Sequence, residues 1–185
     1  MQKTLAVISL ALLTTSSYAN EFTQIQPEKS SINFIYQQMG VKMNGKFKNF
    51  NSSINFNTND LSKSKANFDI DLSSIDTGSA EANQEVKSKT WFNLSGFPTA
   101  KFISTNIKSL GGNKYEVDGQ LSIKGQQKNL TIPITVTQKD KLANFEGAFT
   151  INRGDFKIGE GEWSKFDLVA NEVQVKSNIL AQAKQ

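Results

Sequence analysis

The residues best suited to chemistry stand close together in the stretch Ile151-Asn152-Arg153-Gly154-Asp155-Phe156-Lys157-Ile158-Gly159-Glu160-Gly161-Glu162-Trp163. Asp155, Glu160 and Glu162 are carboxylates at short spacing, the kind of set that could share general acid and base work in hydrolysis. Glycines sit among them, so the same residues read equally as a polar loop. Arg153 is the only arginine in the chain, and all the other members of its 21 basic residues are lysines. Its planar guanidinium could face an anionic head group such as a pyrophosphate, or pair structurally with Asp155 or a nearby carboxylate. The chain has no histidine and no cysteine. It therefore lacks the usual general base near neutral pH, the thiolate nucleophile and most zinc or haem ligands. A binding role is favoured over an enzymatic one on that ground, and no cofactor is required.

The elements that must position these residues are strands. Apolar residues recur two apart, which places them on one face of a pleated strand. The rows are Ile32, Phe34 and Tyr36; Ile54 and Phe56; Phe68, Ile70 and Leu72; Tyr115, Val117, Leu121 and Ile123; Leu130, Ile132, Ile134 and Val136; Phe145, Phe149 and Ile151; and Val173, Val175 and Ile179. Polar residues fill the alternate positions. Gly111-Gly112-Asn113, Lys124-Gly125-Gln126 and Lys139-Asp140-Lys141 are reversal signals, and Asn59-Asp60-Leu61-Ser62 separates two earlier strands. About eight antiparallel strands result, and such a sheet with one apolar face closes into a barrel or folds into a sandwich. Gly40, Gly45, Gly119, Gly147 and Gly154 lie in or beside strands, where barrel closure needs bends. The expected fold is all-β, an eight-stranded antiparallel barrel with one short helix.

That helix is predicted over residues 79–89. Ser79 is its N-cap, Glu81 lies in the first turn, Lys87 and Lys89 in the last, and Glu85 stands four residues before Lys89. It should lie on the barrel or over one end.

The first nineteen residues read as a secretory signal peptide. Lys3 is the positive n-region, Leu5 to Leu13 the apolar stretch, and Ser17-Tyr18-Ala19 the cleavage site before Asn20. The expected mature product is a single barrel domain over residues 20–185, exported to the periplasm. Its lysines are scattered, without the concentrated basic patch of a nucleic-acid footprint, so no nucleic-acid partner is expected.

Taken together, the motifs resemble the YceI-like family of lipid- or polyisoprenoid-binding proteins. The matching segments are Ser31-Ile32-Asn33-Phe34, Gly45-Lys46-Phe47-Lys48-Asn49-Phe50, Ser74-Ile75-Asp76-Thr77, Phe92 through Phe102, Tyr115 through Gly125, and Arg153-Gly154-Asp155-Phe156-Lys157-Ile158-Gly159. The resemblance spans nearly the whole mature chain. It implies a lipocalin-like barrel whose lumen holds an isoprenoid or other prenyl lipid, such as a quinone or prenyl-phosphate tail, or another long-chain lipid, without catalysis. Two positions depart from the family pattern. Gln37-Gln38-Met39-Gly40 stands where many relatives carry a histidine, and Asn93 replaces the usual aspartate.

The expected ligand-binding residues are Phe34, Tyr36, Met39, Phe47, Phe68, Ile70, Phe102, Phe149, Ile151, Arg153 and Phe156. Each aromatic or aliphatic member also reads as ordinary filling of a solid core. The chain's thirteen phenylalanines suit a tube wall with few hydrogen-bonding demands. Met39 and Met43 are candidates for a flexible mouth. A homodimer and a membrane redox partner are compatible with the sequence. So is a small outer-membrane barrel, in which the apolar face would point outwards; two Trp and three Tyr are few for its two aromatic girdles.

Overall fold

The fold is given by a computed structural model that describes residues 21–184. The proposed signal peptide at 1–19 lies outside the described residues. Eleven strand segments form one antiparallel sheet: β1 (Glu21–Ile25), β2 (Ser31–Gln38), β3 (Val41–Phe47), β4 (Phe50–Asn57), β5 (Lys65–Asp71), β6 (Ile75–Asp76), β7 (Thr99–Gly111), β8 (Lys114–Ile123), β9 (Gln126–Lys139), β10 (Leu142–Asn152) and β11 (Glu172–Ala183). The first six are three strands, each interrupted once. β11 pairs with β2 through Val175↔Phe34 and with β1 through Ile25↔Ala181, so β1 and β2 run along it in succession. In the same way β3 and β4 continue one another, as do β5 and β6. Eight strands therefore run up and down in chain order, and the β1–β11 pairing closes them into a barrel.

The reversal signals act as read. Gly111 and Gly112, Lys124 and Gly125, and Asp140 with Lys141 join consecutive strands. At Met39-Gly40 and Lys124-Gly125 both residues have positive φ, 50° with 80° and 48° with 72°. Two-residue hairpins take that left-handed pair because its twist matches the flanking strands.

The alternation predicted from sequence puts the apolar rows inside. The outer face is polar and charged, with Lys101, Glu116, Asp118, Glu146 and Lys176 at alternate positions. That pattern is the reverse of a lipid-facing barrel, whose outer band must be apolar. The outer-membrane alternative is therefore set aside.

One helix crosses an end of the barrel. This is α1 (Ala80–Glu85), whose Ala82 N–H donates to the Ser79 hydroxyl at 3.3 Å, as the N-cap reading required. It is shorter than predicted. The chain leaves helical geometry after Val86 and coils back, with the Phe92 N–H reaching the Val86 carbonyl and the Asn93 N–H reaching Ser88. This recoil buries Trp91 and half-buries Phe92 against the core. Packing outweighs the weak helical preference of so short a segment. Lys87 and Lys89 consequently lie beyond the helix, and no ion pair joins Glu85 to Lys89 among the described residues.

Candidate functional site

The lumen has a packed floor and a hollow upper part. At the end away from α1, Phe56 meets Tyr115 and Phe145 edge to face, each with ring centroids 5.1 Å apart. Phe22, Ala143, Ile179 and Ala181 are almost wholly buried at this end of the core. Above them the wall opens into a cavity of about 640 Å³, within the roughly 300–1,000 Å³ usual for small-molecule sites. Phe34, Tyr36, Phe47, Phe68, Ile70, Phe102, Phe149 and Ile151 all line it. Tyr36, Phe47, Phe68, Ile70 and Phe149 point inwards yet stay only half-buried, because they face empty space. The solid-core alternative is thereby excluded for these residues.

Close approach of backbone and ring keeps the wall thin. Gly45 and Gly119 sit opposite Phe34 and along from Phe102 on paired strands, and a Cβ at either would collide with the ring. Glycine lets each ring lie against the sheet instead of standing into the lumen.

The mouth lies at the α1 end. Ala82, Val86, Glu81 and Glu85 of the helix segment line it from one side, and Gln38 and Met43 of the β2–β3 hairpin from the other. The Tyr36 hydroxyl donates to the Thr77 carbonyl at 3.3 Å. Burial pushes this phenol above its ordinary pKa, so it remains a neutral donor. Thr77 is fixed in turn, since both its N–H and its hydroxyl donate to the Asn83 side-chain oxygen at 2.6 and 2.8 Å. No three His, Cys, Asp or Glu side chains among the described residues gather into a metal-binding group. The mouth is a ring of hydrogen-bonding groups around an apolar shaft.

Three residues expected at the site are placed differently. Met39 occupies the tip of the β2–β3 hairpin at 73% exposure and does not line the cavity. Met43, on the inward parity of β3, takes that place. Phe156 is fully buried, but on the 3-10 turn Arg153–Phe156 and away from the lumen. Arg153 borders the cavity, yet it does not await a head group, and it pairs with no acid among the described residues. All five of its N–H donors are spent on backbone carbonyls: Ala170, Ile158, Gly159, Trp163 and Val169, at 2.5 to 3.2 Å. Its guanidinium also stacks on Phe166 at 4.7 Å and Trp91 at 5.3 Å. Asp155 is exposed.

A second buried cation works in the same way. Lys124, in the β8–β9 turn, donates to the Thr90 and Lys157 carbonyls at 3.3 and 2.7 Å and to the Glu160 carboxylate at 2.7 Å. Arg153 and Lys124 thus sew the loops 86–98 and 153–171 over part of the α1 end. The entrance is left between α1 and the β2–β3 hairpin. Sequence reading missed Lys124 because nothing local separates it from the surface lysines.

A sequence profile for the YceI-like domain matches residues 24–181. The UPF0312 protein plu2095 of Photorhabdus laumondii subsp. laumondii is 32% identical over 169 residues, covering 85% of this chain and 88% of its own. Among solved structures, Burkholderia cenocepacia BcnA superposes with a TM-score of 0.81 at 37% identity, over 86% of this chain and 100% of that one. A polyisoprenoid binding domain from Saccharophagus degradans, implicated in plant cell wall breakdown, superposes at 0.69 with 16% identity, over 90% and 100%. At that identity the last likeness speaks for the fold alone.

Proposed function

The chain belongs to the YceI-like family, and from that premise we propose that it is a non-catalytic periplasmic carrier. It holds a polyisoprenoid or similar long-chain lipid in the barrel lumen, for storage, transport or stress response, and reaches the periplasm through a cleaved leader. The observation that carries this reading is the hollow itself: about 640 Å³ walled by Phe, Ile and Val, open beside α1 and stopped by Phe56. A chain in such a shaft gains roughly 0.8 kcal/mol per methylene removed from water, before ordering costs. A folded protein that leaves this apolar wall bare gains nothing from it, whereas a bound chain covers it. The polyisoprenoid named for the Saccharophagus degradans domain makes that ligand class the first choice.

The test is native mass spectrometry of protein released from its own host by osmotic shock without detergent. The expected result is a chain that starts at Asn20 and carries a lipid adduct recovered unchanged by solvent extraction. Ligand-free protein that also refuses farnesol in a titration would sink the carrier reading.

A further inference from the structure

Resting on the lumen as a lipid site, we infer that its mouth selects a head group without negative charge and turns away prenyl phosphates and fatty carboxylates. Arg153 has no N–H left for a ligand, because five carbonyls hold all five. The three ammonium hydrogens of Lys124 are likewise occupied by Thr90, Lys157 and Glu160. Lys48 pairs with Asp76 at 3.0 Å, and Lys42 alternates with the inward Met43 and is exposed. Lys65 borders the cavity but opens β5, at the barrel end opposite α1.

The charges that do border the entrance are acidic. Glu81 and Glu85 line it from α1, and neither forms an ion pair among the described residues. Their carboxylates take hydrogen bonds from Ser79 and Ser88 instead. An anion entering here loses hydration, finds no free buried donor of positive charge among the described residues, and meets two like charges. A carbonyl or hydroxyl head group meets the Gln38 amide, which can donate to it or accept from it without a charge, and a hydroxyl also meets the Thr77 and Ser79 oxygens, which have given their hydrogens to Asn83 and Glu81 but can still accept. The chemical class implied is a long chain ending in an alcohol, ester, amide or quinone.

The test compares geranylgeraniol with geranylgeranyl diphosphate, which share one tail, on the delipidated mature protein. Trp91 and Trp163 both line the cavity and are the chain's two tryptophans, so their fluorescence reports occupancy. The alcohol should bind at least tenfold more tightly than the diphosphate. The ratio should shrink as salt is raised, and should shrink at least tenfold in the double variant Glu81→Lys, Glu85→Lys. Equal binding of the two probes, or a ratio that neither salt nor charge reversal moves, overturns the inference. Failure of both probes to bind would instead overturn the lipid reading beneath it.

Discussion

Phe34 and Gly45 face each other across the β2–β3 pairing, and the Phe34 ring occupies the space a Gly45 side chain would need. The ring is thereby laid along the wall, 5.4 Å from Phe47 and 6.0 Å from Tyr36. The hollow depends on this arrangement. Gly45→Val should force the ring into the lumen, at a cost of about 1–3 kcal/mol for overpacking. Farnesol affinity should fall by more than the stability loss accounts for at concentrations where the variant is fully folded. Adding Phe34→Leu should restore part of it. Unchanged affinity in the single variant would show that this wall does not bound the ligand.

Phe56 sets the depth of the shaft. It lines the cavity, is 1% exposed, and stands edge-on to Tyr115 and Phe145. Phe56→Ala should lengthen the shaft while costing about 3–5 kcal/mol of stability. The expected signature is a shift in chain-length preference. Relative to the parent, the variant should bind geranylgeraniol more tightly than farnesol, measured by Trp fluorescence on folded protein. A preference that does not move would place the ligand's tail elsewhere.

Much of the barrel was legible because period-two rows report which face is buried, and the lumen residues are the inward members of those rows. Phe68, Ile70, Phe149 and Ile151 follow from parity alone. The interruptions at Pro27–Lys29, Lys48-Asn49 and Leu72–Ser74 do not, since they mark where a strand passes from one stretch of its neighbour to the next, a matter of long-range pairing. Met39 and Met43 are indistinguishable by type; the left-handed hairpin at Met39-Gly40 decides between them. Arg153 was misread for a different reason. An acid two residues away is visible in a sequence, whereas five converging carbonyls leave no trace in it.

Those carbonyls make Arg153 a stability residue. Arg153→Met should leave five acceptors without their donor and replace a stacked guanidinium, for a loss on the order of 3–5 kcal/mol. Arg153→Lys should recover only a fraction, because three hydrogens on a flexible stem cannot serve five fixed oxygens. Urea unfolding should show a lower midpoint at unchanged slope for both variants. Retained parental stability in the methionine variant would overturn the assignment.

The Lys124–Glu160 contact should make stability depend on pH in a definite direction. The Lys124 ammonium holds the Glu160 carboxyl below its ordinary value of 4.5, chiefly through their hydrogen bond. A carboxyl whose pKa is lower folded than unfolded stabilises the fold fully above its unfolded pKa. That contribution is lost as pH falls through the folded value. Glu160→Gln removes it at every pH, leaving Lys124 buried with only the Thr90 and Lys157 carbonyls. The parent should therefore have the higher urea midpoint at pH 7, and the difference should close as acid protonates Glu160 below pH 4.5. Asp60, Asp71, Asp76 and Asp118, each also held low by local hydrogen bonds, are common to both proteins, so they cancel in the comparison. A midpoint difference that stays constant down to pH 3 would show that the contact works through packing and not through charge.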